Sequence, residues 1–388
     1  MTRLAIVSSH PIQYNAPAFR AIAQEPGIDL HVFYEWTGPI SSIDKEFGRA
    51  IEWDIPLLDG YDHSFVPNRS KQPGTHHFFG INNSEIVGEV ARWKPDVLLI
   101  YGWAFASHVK LLTRFRRRLP IMFRGDSTLL DPASTLHRTA RRRVLNWIFG
   151  NVSLALYAGR NNYEYFRWAG VPERSLRWAP HAVDNDRFRG SETERVAARR
   201  WRSSLGIRDD ETVFLFSGKL SAIKDPQTLI NAFRSTVARG AASGLHLIFA
   251  GDGELRSVVE AESQSCGRIH FIGFQNQSIM PTVYHMANAL VLPSRTETWG
   301  LSVNEAMAAG CPAIVSDRVG CAPDLVLPGV TGLQFRFGDR EDLADQLLVL
   351  SDRRIADRMG MEARKHISGW SIPIYARTVA ASAKWLDS

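Results

Sequence analysis

Apolar residues gather in runs of four to seven, and between them lie helix-length stretches whose apolar positions recur every three or four residues. In the first half the runs fall at residues 4–8, 30–34, 97–101, 121–123, 154–157 and 177–179. A strand followed by an amphipathic helix, repeated, puts helices on both faces of a parallel sheet. Residues 188–208 interrupt this rhythm with a break at Gly190-Ser191-Glu192 and a basic helix over 196–205, and they read as a linker with an entry helix. A second series of runs follows at 213–217, 245–250, 269–272, 289–292, 313–316 and 332–334. The pattern therefore predicts an α/β chain with two Rossmann-like, doubly wound parallel sheets. The first half covers residues 1–188 and the second 189–372. A last segment, 373–388, carries an amphipathic helix expected to pack back on the first half.

The length of 388 residues agrees with two domains, each large enough for its own core. With 45% hydrophobic and 22% charged residues, collagen, coiled coil and wholesale disorder are excluded. No apolar run approaches the ~18 residues of a membrane span, and Met1-Thr2-Arg3 leads straight into a strand, so neither a span nor a signal peptide is expected. Cys266, Cys311 and Cys321 are odd in number and stand at no zinc-binding spacing. A reduced, cytoplasmic protein is the expectation. The net charge of +6 is uneven, because residues 101–150 hold ten Lys/Arg against two Asp/Glu. Arg114, Arg116, Arg117 and Arg118 form one cluster, and Arg138, Arg141, Arg142 and Arg143 a second, beside Val144, Trp147 and Phe149. Such an edge suits anionic headgroups and suggests peripheral contact with the inner membrane face; a solvated arginine face is the alternative. No nucleic-acid role is expected.

Ligands of open parallel sheets bind beyond the carboxyl ends of the strands, and four loops of the second half qualify. The first carries Gly218, Lys219 and Lys224 ahead of a helix. Glycine admits a ligand close to the backbone, and two lysines five residues apart converge on one anionic point, unless they are ordinary surface lysines. In the second, Gly251-Asp252-Gly253 joins strand to helix, a turn that tight packing alone also demands. The third runs from Glu297 through Gly300, Leu301 and Ser302 to Glu305. Here a glycine opens a helix whose first N–H groups and positive dipole end favour an anion, and the two carboxylates suit sugar hydroxyls on either side of it. Ser302 and Glu305 also stand at capping-box spacing, so Glu305 has a structural alternative. The fourth, Gly273-Phe274-Gln275-Asn276, is a rim for a nucleobase or an apolar loop packed on its own sheet.

Taken in order, these loops resemble the donor half of glycosyltransferase family 4, retaining enzymes of the GT-B architecture, whose two Rossmann-like domains face across a cleft. The resemblance runs from about residue 180 to the end. It rests on Pro180-His181-Ala182-Val183-Asp184 with Phe188, on Gly218-Lys219-Leu220 with Lys224, on Gly251-Asp252-Gly253, on Glu297 with Glu305, and on Gly329-Val330-Thr331-Gly332-Leu333. It implies that Lys219 and Lys224 hold a nucleotide diphosphate and that Glu297 holds hydroxyls of the transferred sugar. Glu305 would hold the ribose, and the N–H groups at Gly300 to Ser302 the distal phosphate. Lys219 stands where the family usually has arginine, Asp225 and Thr298 where it has glycine, and Trp299 where it has phenylalanine.

The first half resembles the family less. Its opening loop, Ser8 to Pro17, replaces the usual glycines, and Arg124-Gly125-Asp126-Ser127 stands where many relatives carry a histidine. His10 and Asp126 are the candidates to position an acceptor hydroxyl or touch the sugar. A satisfied loop histidine and a helix cap are their respective alternatives.

The donor-half resemblance and the acceptor candidates together imply a glycosyltransferase that moves a sugar from a nucleotide-diphosphate donor to an acceptor hydroxyl with retention, in cell-surface polysaccharide or glycolipid assembly. The acceptor would be a sugar or a lipid-linked sugar. With two lysines to balance the diphosphate and no Asp-x-Asp at a strand end in a suitable loop, no divalent metal is expected and no cofactor beyond the donor. A sugar-nucleotide epimerase and a non-catalytic binding protein are the rivals. A nicotinamide enzyme is disfavoured because residues 4–11 lack the Gly-x-Gly-x-x-Gly turn.

Overall fold

The computed structural model describes all residues except 39–42, 45–48, 51–52, 131–134, 241–243 and 265. The strands among the described residues, in chain order, are β1 (Thr2–Ser8), β2 (Ile28–Tyr34), β3 (Ile43–Asp44), β4 (Arg49–Ala50), β5 (Asp62–Phe65), β6 (Val97–Tyr101), β7 (Ile121–Arg124), β8 (Leu154–Tyr157), β9 (Leu176–Trp178), β10 (Thr212–Ser217), β11 (Leu245–Ala250), β12 (Ile269–Gly273), β13 (Ala289–Leu292), β14 (Ala313–Ser316) and β15 (Gly332–Phe335). The chain divides into two compact units. One comprises Met1–Ile40, Pro56–His181 and Ile372–Ser388; the other comprises Ser41–Ile55 and Ala182–Ser371.

The first unit is built on a seven-stranded sheet of order β5-β2-β1-β6-β7-β8-β9, all pairs parallel. Central strands read as unbroken apolar runs because helices cover both of their faces. On one face Leu111, Leu112 and Phe115 of the helix Ala106–Phe115, with Leu145, Ile148 and Phe149 of the helix Thr135–Phe149, pack on Val7, Leu98 and Phe123. On the other, Phe19 and Ile22 share a core with Tyr375, Val379 and Ala383 of the last helix, Ile372–Asp387. The chain's final residues thus complete the core of its first sheet. Strand β5, Asp-His-Ser-Phe, carries no apolar alternation and was not expected; it lies at the sheet edge, where one neighbour suffices and no residue is fully buried.

The second unit carries a six-stranded parallel sheet of order β12-β11-β10-β13-β14-β15. Its start at Ala182 precedes the expected boundary after residue 188, because the helix Asn185–Arg189 belongs to this core. Phe188 is fully buried with its ring 5.8 Å from that of Tyr284, and the Asn185 side-chain amide donates to the carbonyls of Ile367 and Trp370. The entry helix begins at Glu192 rather than 196, since Ser191 and Glu194 cap it reciprocally. The Ser-x-x-Glu signature was present in the stretch read as a break.

Candidate functional site

In the second unit the loops after β10, β11, β12 and β13 are drawn together by backbone hydrogen bonds. Gly218 N–H donates to Ala250 O, Gly251 N–H to Gly273 O, Leu220 N–H to Asp252 O and Arg295 N–H to Ile223 O. The approach is so close that a Cβ on Gly251 would fall 1.8 Å from the Gly218 carbonyl oxygen, and one on Gly253 2.5 Å from that of Leu220. These two glycines are therefore required by loop-on-loop packing, the structural reading of the Gly251-Asp252-Gly253 turn. Asp252 is spent locally, pairing with Arg256 at 3.1 Å.

The lysine loop turns into the helix Pro226–Ala238 at Asp225, which adopts φ 49° and accepts hydrogen bonds from the backbone N–H and hydroxyl of Thr228. Aspartate tolerates this left-handed conformation better than most residues, which lets it stand where a glycine is usual. The same turn aims Lys224 inward. Burial, and after it the like charge of Lys219, pushes Lys224 down to about 8. Its ammonium is in contact with Glu297 Oε1, and both side chains are largely buried.

Glu297 is fixed along its backbone. It bridges Val319, its N–H donates to Arg318 O and its carbonyl accepts from Gly320 N–H. Ser294 donates to the same carboxylate oxygen that meets Lys224. Beyond it, buried Trp299 donates its indole N–H to Asn304 at 2.8 Å and stacks obliquely on Trp370, centroids 5.3 Å apart. Gly300 then starts the helix Leu301–Ala309 at φ 98°, and no side chain caps it. Among the described residues no side chain is recorded accepting from the opening N–H groups at Leu301 and Ser302, and the helix dipole adds positive potential there.

That geometry removes the capping-box alternative for Glu305. Ser302 lies inside the helix rather than at its cap. Glu305 accepts instead from the Tyr284 hydroxyl at 2.6 Å, and that hydroxyl lies 3.3 Å from Ser217. Burial raises the Glu305 carboxyl to about 7, with the Tyr284 hydrogen bond and Arg187 opposing. A carboxyl whose native pKa lies above its ordinary value stabilises the fold only while it can hold its proton, so this contribution is present below about 4.5 and is lost as pH rises through about 7. Tyr284→Phe removes a donor to the ionised form. The variant is expected to lose about 1 kcal/mol at pH 5 and about 2 kcal/mol at pH 8, the difference between a neutral and a charge-assisted hydrogen bond. Thermal melts at the two pH values read this, and equal losses would show that Glu305 is not the partner that matters.

Tyr284 and Arg187 carry no sequence motif and were not anticipated. Nor was Trp53, whose ring lies 6.3 Å from Phe274, while neighbouring Asp54 accepts from the Ser278 backbone N–H at 3.0 Å. Gly273 and Phe274 thus sit in a loop that a segment from the first half of the sequence helps to line.

In the first unit, the carboxyl ends of β1, β7 and β9 bring Tyr14, Asp126 and His181 together. His181 Nε2 stands 4.0 Å from Asp126 Oδ2 and 5.9 Å, ring to ring, from Tyr14. Burial, then the Arg124 charge, lowers His181 to about 4 against the pull of Asp126. His10 is separate from this group. It contacts Ser9 and the Trp36 ring, and burial lowers it to about 4. Arg124 is buried and tied to the carbonyls of Leu156 and Ala179. Among the arginine clusters, Arg114, Arg116–Arg118 and Arg138–Arg143 are exposed, and Val144 and Trp147 beside them are about half exposed. Among the described residues no helix is long and apolar enough to cross a membrane.

Comparison with known proteins agrees with this picture. Residues 198–366 match the family described as glycosyl transferases group 1. The chain is 28% identical over 307 residues to D-inositol 3-phosphate glycosyltransferase of Nocardia farcinica, covering 74% of this chain and 66% of that protein. It is 30% identical over 240 residues to the GDP-mannose-dependent alpha-(1-6)-phosphatidylinositol monomannoside mannosyltransferase of Mycobacterium tuberculosis, 58% of this chain and 60% of that one. The chain thus spans less than two thirds of the length of these curated relatives. Among solved structures, Anabaena HepE in complex with UDP and glucose superposes with a TM-score of 0.73 at 17% identity, over 99% of this chain and 100% of that one. Sucrose-phosphate synthase from Thermosynechococcus elongatus gives 0.74 at 19% identity, over 100% and 99%. Two parallel-sheet α/β units with these neighbours make the fold GT-B.

Proposed function

We propose that the chain is a retaining glycosyltransferase of family 4 that transfers a sugar from a nucleoside diphosphate donor to an acceptor hydroxyl, in the assembly of a cell-surface polysaccharide or glycolipid. The contact of Lys224 with Glu297, three residues ahead of the helix start at Gly300, carries this reading: it joins a cation to a hydrogen-bond acceptor in the loop that leads into the opening N–H groups of that helix. A nucleoside diphosphate sugar needs all three: charge and N–H groups for its phosphates, a carboxylate for its sugar hydroxyls. The relatives named as glycosyltransferase and as GDP-mannose-dependent mannosyltransferase, and the UDP bound in the structural neighbour, support it.

In this reading Lys219, Lys224 and the helix start at Leu301–Ser302 meet the negative charge that grows on the leaving phosphate oxygen, and groups fixed in advance lower that barrier. Glu297 holds the sugar hydroxyls and Glu305 the ribose, while Gly273 and Phe274 rim the base. A front-face departure, in which the leaving oxygen accepts the acceptor's proton, accounts for retention without a protein base beside Glu297. On the first unit Asp126, with His181, positions the acceptor hydroxyl; His10 would act apart from that pair. The exposed arginines beside Trp147 would rest on an anionic membrane surface. The similar proteins do not favour an epimerase or a non-catalytic binder.

The test is a melting-temperature screen against UDP-, GDP-, ADP- and dTDP-sugars, followed by product analysis with the donor that binds. A donor at about 100 times its Kd stabilises the native state by ~2.7 kcal/mol. Turnover is expected to persist in EDTA, since the lysines supply the charge that a divalent ion otherwise brings. Release of an altered sugar without acceptor, or binding with no turnover of any donor, would overturn the reading.

A further inference from the structure

The chain leaves the first sheet after β2 and returns to it at β5, and part of the stretch between, Ser41–Ile55, belongs to the second unit. Two adjacent residues of this segment grip the loop after β12. The carboxylate of Asp54 accepts from the backbone N–H of Ser278, at 3.0 Å, and from the Ser278 hydroxyl. Trp53 is partly buried, with its ring 6.3 Å from that of Phe274 and tilted 52° to it. The same loop is tied elsewhere too, because Arg187 donates to the Gln277 side chain at 2.6 Å and the Gln275 amide donates to Ile272 O. An aromatic ring is thus fixed beyond the carboxyl end of a parallel strand, where ligands of such sheets bind. The order β12-β11-β10-β13 sets this loop two strands from the lysine loop after β10. At ~4.8 Å per strand the separation is ~10 Å, which leaves room for a ribose between a diphosphate at Lys224 and a base at Phe274.

We propose that Trp53 is a further donor-binding residue, which forms with Phe274 the aromatic wall on which the nucleobase stacks, and that Asp54 is a positioning residue that holds Trp53 against the loop. The proposal rests on the transferase reading and adds to its donor site a contact supplied by the segment between β2 and β5. Every base offers a π face, so the wall raises affinity for nucleoside diphosphates and does nothing for a diphosphate that lacks a base. Asp54 acts through geometry alone. A carboxylate that accepts two hydrogen bonds from one residue fixes the direction in which its own segment leaves the loop, and Trp53 is the next residue along.

Titration calorimetry of the intact protein with UDP, GDP, ADP, dTDP and inorganic pyrophosphate tests this. At least one nucleoside diphosphate is expected to bind about tenfold or more tightly than pyrophosphate. Trp53→Ala should weaken the tightest of the four about tenfold, the order of loss when an aromatic partner of a base is truncated, and should leave pyrophosphate affinity within about twofold. Trp53→Phe keeps a smaller ring and should keep most of the affinity. Asp54→Asn, a weaker acceptor of the same size, should cost the same nucleoside diphosphate a few-fold and pyrophosphate nothing. An equal loss for both kinds of ligand in Trp53→Ala would make Trp53 a packing residue and overturn the proposal. Nucleoside diphosphate binding that is indifferent to Trp53 would sink the proposal and leave the transferase reading standing. Binding of none of the five ligands would sink both. Binding that depends on Trp53, with no transfer from any donor, would keep the base contact and sink the transferase reading alone.

Discussion

On the proposed transferase reading, Lys224→Ala is expected to reduce transfer about 10²–10³-fold, the loss typical of removing one fixed donor aimed at developing negative charge. The chain should still fold, because Lys224 lies in a loop and contributes no apolar core contact. A second effect must be separated from the first. Removing the ammonium leaves the largely buried Glu297 carboxylate without its cation, which costs stability because an unpaired buried charge is worse than none. The double variant Lys224→Ala with Glu297→Gln removes the stranded charge. It should recover most of the lost melting temperature and none of the lost transfer. If the double variant recovered turnover, the lysine would be a structural partner of Glu297 and not a group acting on the donor. Turnover near normal in the single variant would count against the whole assignment of the site.

Gly251→Ala is expected to be as damaging, through a different route. Gly251 holds φ 152°, which side chains rarely adopt, and the added methyl would sit 1.8 Å from the Gly218 carbonyl oxygen. Backbone strain of this kind costs about 1–3 kcal/mol, and the contact cannot be relieved by a rotamer change, since backbone faces backbone. The loop carrying Lys219 and Lys224 must move away from the loop after β11, breaking the Leu220 to Asp252 hydrogen bond. The expected result is a melting temperature lower by several degrees together with lost donor binding. Gly240→Ala serves as the control, because Gly240 also has positive φ but a Cβ there would meet no atom of the described residues within 4 Å. An undisturbed Gly251→Ala variant would mean that the two loops do not pack as described.

Much of the fold could be read along the chain, because strand and helix periodicity are local. β6, β8, β11, β13 and β14 fall on the residues that the apolar runs marked, and most other strands differ by one or two at an end. Strand β5 escaped because an edge strand needs no apolar alternation, and the early start of the helix Glu192–Ser204 escaped because its cap was taken for a break. Among the site residues, Lys224 and Glu297 were marked separately by loop chemistry, and Gly251 by its turn. The sequence offered two roles for Glu305, and packing removed one by placing Gly300 at the helix start and Tyr284 against the carboxylate.

By itself the amino-acid order determined the alternation of strand and helix, the two successive sheets, and which loops carry charge and glycine at their carboxyl ends. Only the tertiary structure decided that Lys224 meets Glu297 across 73 residues, that Asp126 faces His181 and Tyr14 while His10 stands apart, and that Asp54 meets Ser278 across 224 residues. The reason is physical. Periodicity and capping depend on neighbours within a turn or two, whereas the partner of a charged side chain is fixed by how separate strands and helices pack, and no local pattern encodes that distance.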